Sequence, residues 1–163
     1  MRDRASEPRI SVVIPMFDKR VEEEECLESW CRKQSLPREN YEVLVTSNGT
    51  NLEADGRVRN YLSAPDRLVE VPEANMAGLY HAGAVEAQAP ILFFTELHCV
   101  AEKQCLEKLL EFLDRNPDLA GACIHTYGDH TNSFSTTEST LFERMFDDWT
   151  QSCSPVRVFV RGV

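Results

Sequence analysis

Ile10-Ser-Val-Val-Ile14, closed by Pro15, is a short and almost unbroken apolar run. Such a run, rich in β-branched residues, is the pattern of a strand buried on both faces of a parallel sheet. A strand with one wet face would alternate apolar and polar residues instead. The first strand therefore predicts helices on both sides of it, and the flanking sequence supplies them.

From Val21 to Gln34, Val21, Leu27, Trp30 and Cys31 recur at helical spacing, with Glu22 to Glu25 in the first turns where the helix dipole favours acids. Tyr41 to Val45 reads as a second strand, ending in the turn Ser47-Asn48-Gly49-Thr50. Residues 53–62 are a weak helix, and Arg67 to Val71 a third strand closed by Pro72. Ala77 to Gln88 is an alanine-rich helix, followed by a fourth strand, Ile91-Leu-Phe-Phe94. From Glu102 to Arg115, Leu106, Leu109, Leu110 and Leu113 mark one buried helical face, and Asn116-Pro117 stops it. Leu119 to Ile124 reads as a fifth strand.

Strands alternating with helices over short connections imply an α/β fold with a mostly parallel sheet. Ligands of such sheets bind beyond the carboxyl ends of the strands. That rule selects Pro15 to Lys19, Thr46 to Asn51 and Thr95 to Val100. The rhythm changes after Ile124. His125 to Thr140 is polar and reads as a long loop, Leu141 to Trp149 carries an apolar helical stripe expected in the core, and Val156 to Val160 alternates as a last strand. Residues 1–9 are charged and expected to be a flexible N-terminus, leaving 10–163 as one domain.

The chain has 163 residues, 42% hydrophobic and 27% charged, ordinary values for a globular protein. A net charge of −10 argues against a nucleic-acid surface, which needs clustered Lys and Arg. A nucleotide ligand stays open, since one cation or a helix N-terminus can hold it locally. The sequence shows no transmembrane run and no signal-peptide core, so a cytoplasmic location is expected. The six cysteines form no Cys-x-x-Cys pair and are read as reduced, structural thiols. No dinucleotide fingerprint, phosphate loop, nucleophile elbow or helical His-x-x-x-His pair is present.

Several segments in order carry a resemblance. Ile10-Ser-Val-Val-Ile-Pro-Met-Phe-Asp-Lys19 resembles the opening strand and loop of family-two glycosyltransferases of the GT-A fold. Leu27 to Gln34, Pro37, Tyr41 to Val45 and Gly49-Thr50 are similar to that family's first helix and second strand. Ala82-Gly83, Ala87 and Ala89-Pro-Ile-Leu-Phe-Phe-Thr-Glu96 resemble the approach to its acidic metal motif, and Ala101 to Leu110 with Asn116 to Gly121 extend the match.

The resemblance implies a Rossmann-like GT-A domain, incomplete at its C-terminus, that binds a nucleotide diphosphate-sugar and transfers the sugar to an unknown acceptor. It also implies a divalent cation, Mn²⁺ or Mg²⁺, to stabilise charge on the departing diphosphate. Glu96 and His98 are then the expected metal ligands, with Leu97 where a second acid is common. Pro15, Phe17, Asp18, Ser47, Asn48, Asn75 and Glu96 become the expected donor-binding residues, Phe17 by packing on the base and Asn48 by its amide. Asn48-Gly49 equally suits a plain turn, and Asp18 a helix N-cap. The family's catalytic base lies on a later segment, so none is assigned. Ser47, Asn48, Asn75 and Leu97 stand where charged residues are usual, which leaves a degenerate binding module as the alternative. A nucleotidyltransferase sharing the sheet architecture is a third possibility.

Overall fold

A computed structural model describes residues 7–17 and 23–122. Among the described residues, four strands form one parallel sheet: β1 (Ile10–Met16), β2 (Tyr41–Ser47), β3 (Arg67–Glu70) and β4 (Ile91–Phe94), in the order β3-β2-β1-β4. The helices are α1 (Glu23–Cys31), α2 (Leu52–Arg59), α3 (Met76–Glu86) and α4 (Cys105–Arg115). The chain divides into two compact units, one up to Leu110 and one from Glu111. Of the second unit, residues 111–122 are described: the last turns of α4 and a turn closed by Leu119 N–H on the Asn116 carbonyl. No strand forms over Leu119 to Ala122, where a fifth was expected; the segment begins in a tight turn that takes its backbone out of extension. The expected loop at 125–140, the stripe at 141–149 and the strand at 156–160 lie outside the described residues, as do residues 1–6.

β1 is central and wholly buried, as its unbroken apolar run requires. It pairs with β2 in step over seven residues, Ile10 with Tyr41 to Met16 with Ser47. The two faces are told apart by β4. Phe93 meets Trp30 of α1 (ring centroids 5.1 Å apart), whereas its neighbour Phe94 meets Tyr80 of α3 edge-on at 5.6 Å. Successive strand residues point to opposite faces, so α1 and α3 cover opposite sides of the sheet. This follows from topology: β1-to-β2 and β2-to-β3 step one way, and the crossover to β4 steps back, so a right-handed connection carries α3 over the other face.

α3 lies very close to the sheet. A Cβ added to Gly83 would stand 2.3 Å from Val13 Cγ1 and 3.2 Å from Thr46 Cγ2, so only glycine fits the contact. On the other face Cys26, Leu27, Trp30, Val58 and Leu106 are buried. Each such side chain contributes on the order of 1.5–3 kcal/mol through burial.

The helices begin and end within a few residues of expectation, and the differences have local causes. α2 starts at Leu52 because Asn51 caps it, its Oδ1 accepting from Ala54 N–H at 3.1 Å. α3 starts after Asn75, whose Oδ1 accepts from Gly78 N–H at 2.9 Å. α1 stops at Cys31 instead of Gln34. The Gln34 amide donates to the carbonyls of Ser29 (3.1 Å) and Glu102 (3.0 Å) and accepts from Leu106 N–H (3.2 Å), tying the end of α1 to the start of α4.

Candidate functional site

The sheet order places the topological switch between β1 and β4, since the chain leaves β1 toward β2 and returns to β4 on its other side. In open α/β sheets that point opens a crevice at the carboxyl ends. Pairing of β1 with β4 ends at Val13 and Phe94, with Thr95 N–H on the Val13 carbonyl at 3.1 Å. Backbone groups alternate sides along a strand, so Pro15, two residues on, turns its missing N–H toward the β4 side. No ladder bond is lost there, which is why a proline is tolerated in a central strand.

Several of the residues marked by the sequence lie at or just beyond the carboxyl ends of β1, β2 and β4. Phe17, just beyond β1, is 45% exposed. Glu96 and His98 follow β4, with side chains 53% and 45% exposed, and His98 Nδ1 lies 3.4 Å from Glu96 Oε2. Pro15 is buried within β1, and Ser47 within β2, so both serve the frame of the crevice. The Ser47 hydroxyl accepts from Gly49 N–H at 3.1 Å, and its carbonyl takes Val71 N–H at 2.7 Å. Asp18 lies outside the described residues.

Asn48 is more restricted than its side-chain type suggests. Its Oδ1 accepts from Thr50 N–H (3.2 Å) and Thr50 Oγ1 (2.7 Å), using both lone pairs inside the turn. The Nδ2 amide hydrogens are what it has left to offer a ligand. Asn75 is exposed but engaged as the cap of α3. The turn reading and the ligand reading of these asparagines therefore compete for the same oxygen atoms.

One residue beside the site carried no sequence signal. Tyr80, on α3, donates to the Thr95 carbonyl at 3.2 Å. Its phenol is pushed up by burial and then by the nearby Glu96 charge. Its spacing within an alanine-rich helix is that of a core aromatic, and only the three-dimensional structure brings it to the start of the Glu96 loop.

Among the described residues no group of three or more His, Cys, Asp or Glu could hold a metal ion. Glu96 and His98 supply one carboxylate and one imidazole, which fit a cation whose remaining shell comes from diphosphate oxygens and water. Hard cations in nucleotide sites are commonly bound in that shared way. Also among the described residues, no helix is long and apolar enough to cross a membrane.

Residues 11–159 match the model of the family described as Glycosyl transferase family 2. The chain belongs to glycosyl transferase family 2. Glycosyltransferase AglE of Haloferax volcanii is 31% identical over 104 residues, which are 62% of this chain and 34% of AglE. Among solved structures, the mannosyltransferase PcManGT from Pyrobaculum calidifontis, in complex with GDP-Man and Mn²⁺, aligns at a TM-score of 0.57 and 20% identity, over 75% of this chain and 34% of that one. S. aureus TarS in complex with UDP aligns at 0.54 and 21% identity, over 72% and 38%. At such identities the likeness establishes the fold, the GT-A arrangement expected from the sequence. This family-two chain spans about a third of the length of the proteins it matches.

Proposed function

We propose that the crevice between β1 and β4 binds a nucleotide diphosphate-sugar together with a divalent cation, as the donor site of a glycosyl transfer. The observation that carries the reading is the Glu96–His98 pair, half-exposed and 3.4 Å apart at the carboxyl end of β4. Family membership supports it, and so does the exposed aromatic Phe17 just beyond the carboxyl end of β1.

In the reaction so read, an acceptor hydroxyl forms a bond to the anomeric carbon as the bond from that carbon to the diphosphate breaks. The hydroxyl proton passes to a base, and the nucleoside diphosphate leaves with the electron pair. A cation held by Glu96 and His98 would stabilise the negative charge gained by the leaving group. Phe17 offers an apolar surface for the base, and the Asn48 amide hydrogens a donor for an acceptor atom on the nucleotide. No described residue is assigned as the base. The acceptor is left unnamed. We also read the chain as cytoplasmic, on the unpaired thiols of Cys26, Cys31, Cys99 and Cys105.

Calorimetric titration with UDP-, GDP- and dTDP-sugars, with and without Mn²⁺, tests the reading. Metal-dependent binding of at least one donor is expected, weakened in Glu96→Ala. Absence of binding by the whole panel would remove it.

A further inference from the structure

The segment that follows β4 is held along its length by side chains of α1. Cys26 Sγ donates to the Glu96 carbonyl at 3.6 Å. One turn on, Trp30 Nε1–H donates to the Cys99 carbonyl at 3.1 Å, and Ser29 Oγ accepts from Ala101 N–H at 2.9 Å. Cys26 and Leu27 are fully buried, and Ser29 and Trp30 are 2% exposed, so the α1 side of each of these part-buried bonds is shielded from solvent. Burial pushes the Cys26 thiol up to about 12, which keeps its proton, and its donor role, at neutral pH.

These contacts reach backbone atoms at positions 96, 99 and 101, on both sides of His98. The segment closes on itself through Cys99 N–H to the Glu96 carbonyl at 3.0 Å. The Glu96 carbonyl thus takes one bond from within the turn and one from α1. These bonds fix where the backbone of Glu96 and His98 stands, and so the origin of each side chain. Those side chains are half-exposed, yet the α1 side chains that support their backbone are buried.

We infer that α1 is the positioning element of the Glu96–His98 pair, with Trp30, Ser29 and Cys26 as positioning residues acting through the backbone of residues 96–101. The inference rests on the proposed donor site for its purpose, but its geometry can be tested without any ligand. Outer supports of this kind commonly change metal affinity by about 10–100-fold when removed.

Trp30→Phe keeps a ring against Phe93 and deletes the N–H. In the whole chain it should shift the His98 ring resonances and speed hydrogen exchange at the Cys99 and Ala101 amides. Ser29→Ala should speed exchange at Ala101, and Cys26→Ala should act like Trp30→Phe, whereas Cys26→Ser, which retains a donor, should stay close to the native protein. Relaxation titration with Mn²⁺ in the presence of UDP should show affinity about tenfold weaker in Trp30→Phe and Cys26→Ala. Glu28→Ala, on the outer side of α1, should leave all of these readings unchanged.

Unaltered His98 resonances and exchange rates in Trp30→Phe and Ser29→Ala would overturn the inference, whatever happens to metal binding. Failure of the native chain to take up Mn²⁺ with UDP would instead remove the cation from the proposed function, while the resonance and exchange measurements still decide the role of α1. If Trp30→Phe fails to fold, the same measurements on Ser29→Ala and the two Cys26 variants confirm or overturn it.

Discussion

Two glutamates, one at each end of the sheet, show how the same side chain is put to opposite uses. Glu42, near the amino end of β2, has a fully buried side chain and three kinds of partner. It accepts from Ser11 Oγ at 2.6 Å, from Gln88 N–H at 2.6 Å and from Arg67 at 3.1 Å. Beside it, Asp66 is likewise enclosed, taking Val43 N–H at 2.7 Å and the Arg38 guanidinium. Glu96, at the carboxyl end, is half in solvent and meets the His98 ring at 3.4 Å. The Glu42 and Asp66 carboxylates are taken up by groups of the fold itself, whereas the Glu96 carboxylate stays half-exposed on a backbone that α1 holds.

The contrast can be broken first at Glu42. Glu42→Ala removes the acceptor shared by Ser11, the Gln88 amide and Arg67, which keeps Glu86, and each buried donor left unsatisfied costs about 1–3 kcal/mol. Urea unfolding should show that loss, and a change below about 1 kcal/mol would mean that the network contributes little.

Alkali stresses the same end. Cys31 is pushed up to about 12, by burial and then by the Asp66 charge. A thiol with a raised folded value favours the folded state fully below its ordinary value of 9.0 and loses that contribution as the pH climbs through about 12. The urea midpoint should therefore fall above pH 9, and more gently in Cys31→Ala. Gly83→Ala comes next, since its methyl would collide with Val13; overpacking of this kind costs about 1–3 kcal/mol in thermal or urea unfolding.

At the open end the expected stability changes shrink. Asn75→Ala loses the cap of α3, about 1 kcal/mol, and donor titration of the same variant shows whether Asn75 also meets a ligand. Glu96→Ala should move stability by less than about 0.5 kcal/mol while weakening metal-dependent donor binding. A large loss of stability in Glu96→Ala would erase the difference between the two ends.

Much of the fold was legible because it rests on periodicity. Ile10 to Ile14 read as a buried strand and Ile91 to Phe94 as a further strand, of which Leu92 and Phe94 prove exposed, and the alternation with helices implied parallel pairing. Helix ends were less legible, since α1 stops where the Gln34 amide finds backbone partners on α4, a choice made in three dimensions. At the site, Glu96 and His98 were named from the family resemblance, and the structure shows His98 Nδ1 3.4 Å from Glu96 Oε2. Tyr80 and the supports from Cys26, Ser29 and Trp30 were not visible, because they bond to carbonyls and amides that every residue carries. Asn48 was visible as a candidate, but the engagement of its oxygen by Thr50 was not.

Among the described residues, the third strand closes one side of the sheet in a way that bears on solubility. β3 is four residues long, with Arg67 and Glu70 at its ends. Arg67 bonds to Glu42 and to Glu86, and Glu70 to Arg59. A short strand with charges at both ends is a poor template for another chain's backbone, so sheet-to-sheet addition along this border is disfavoured. Neutralising Arg67 or Glu70 would expose that border, and the first sign would be self-association in concentrated solution.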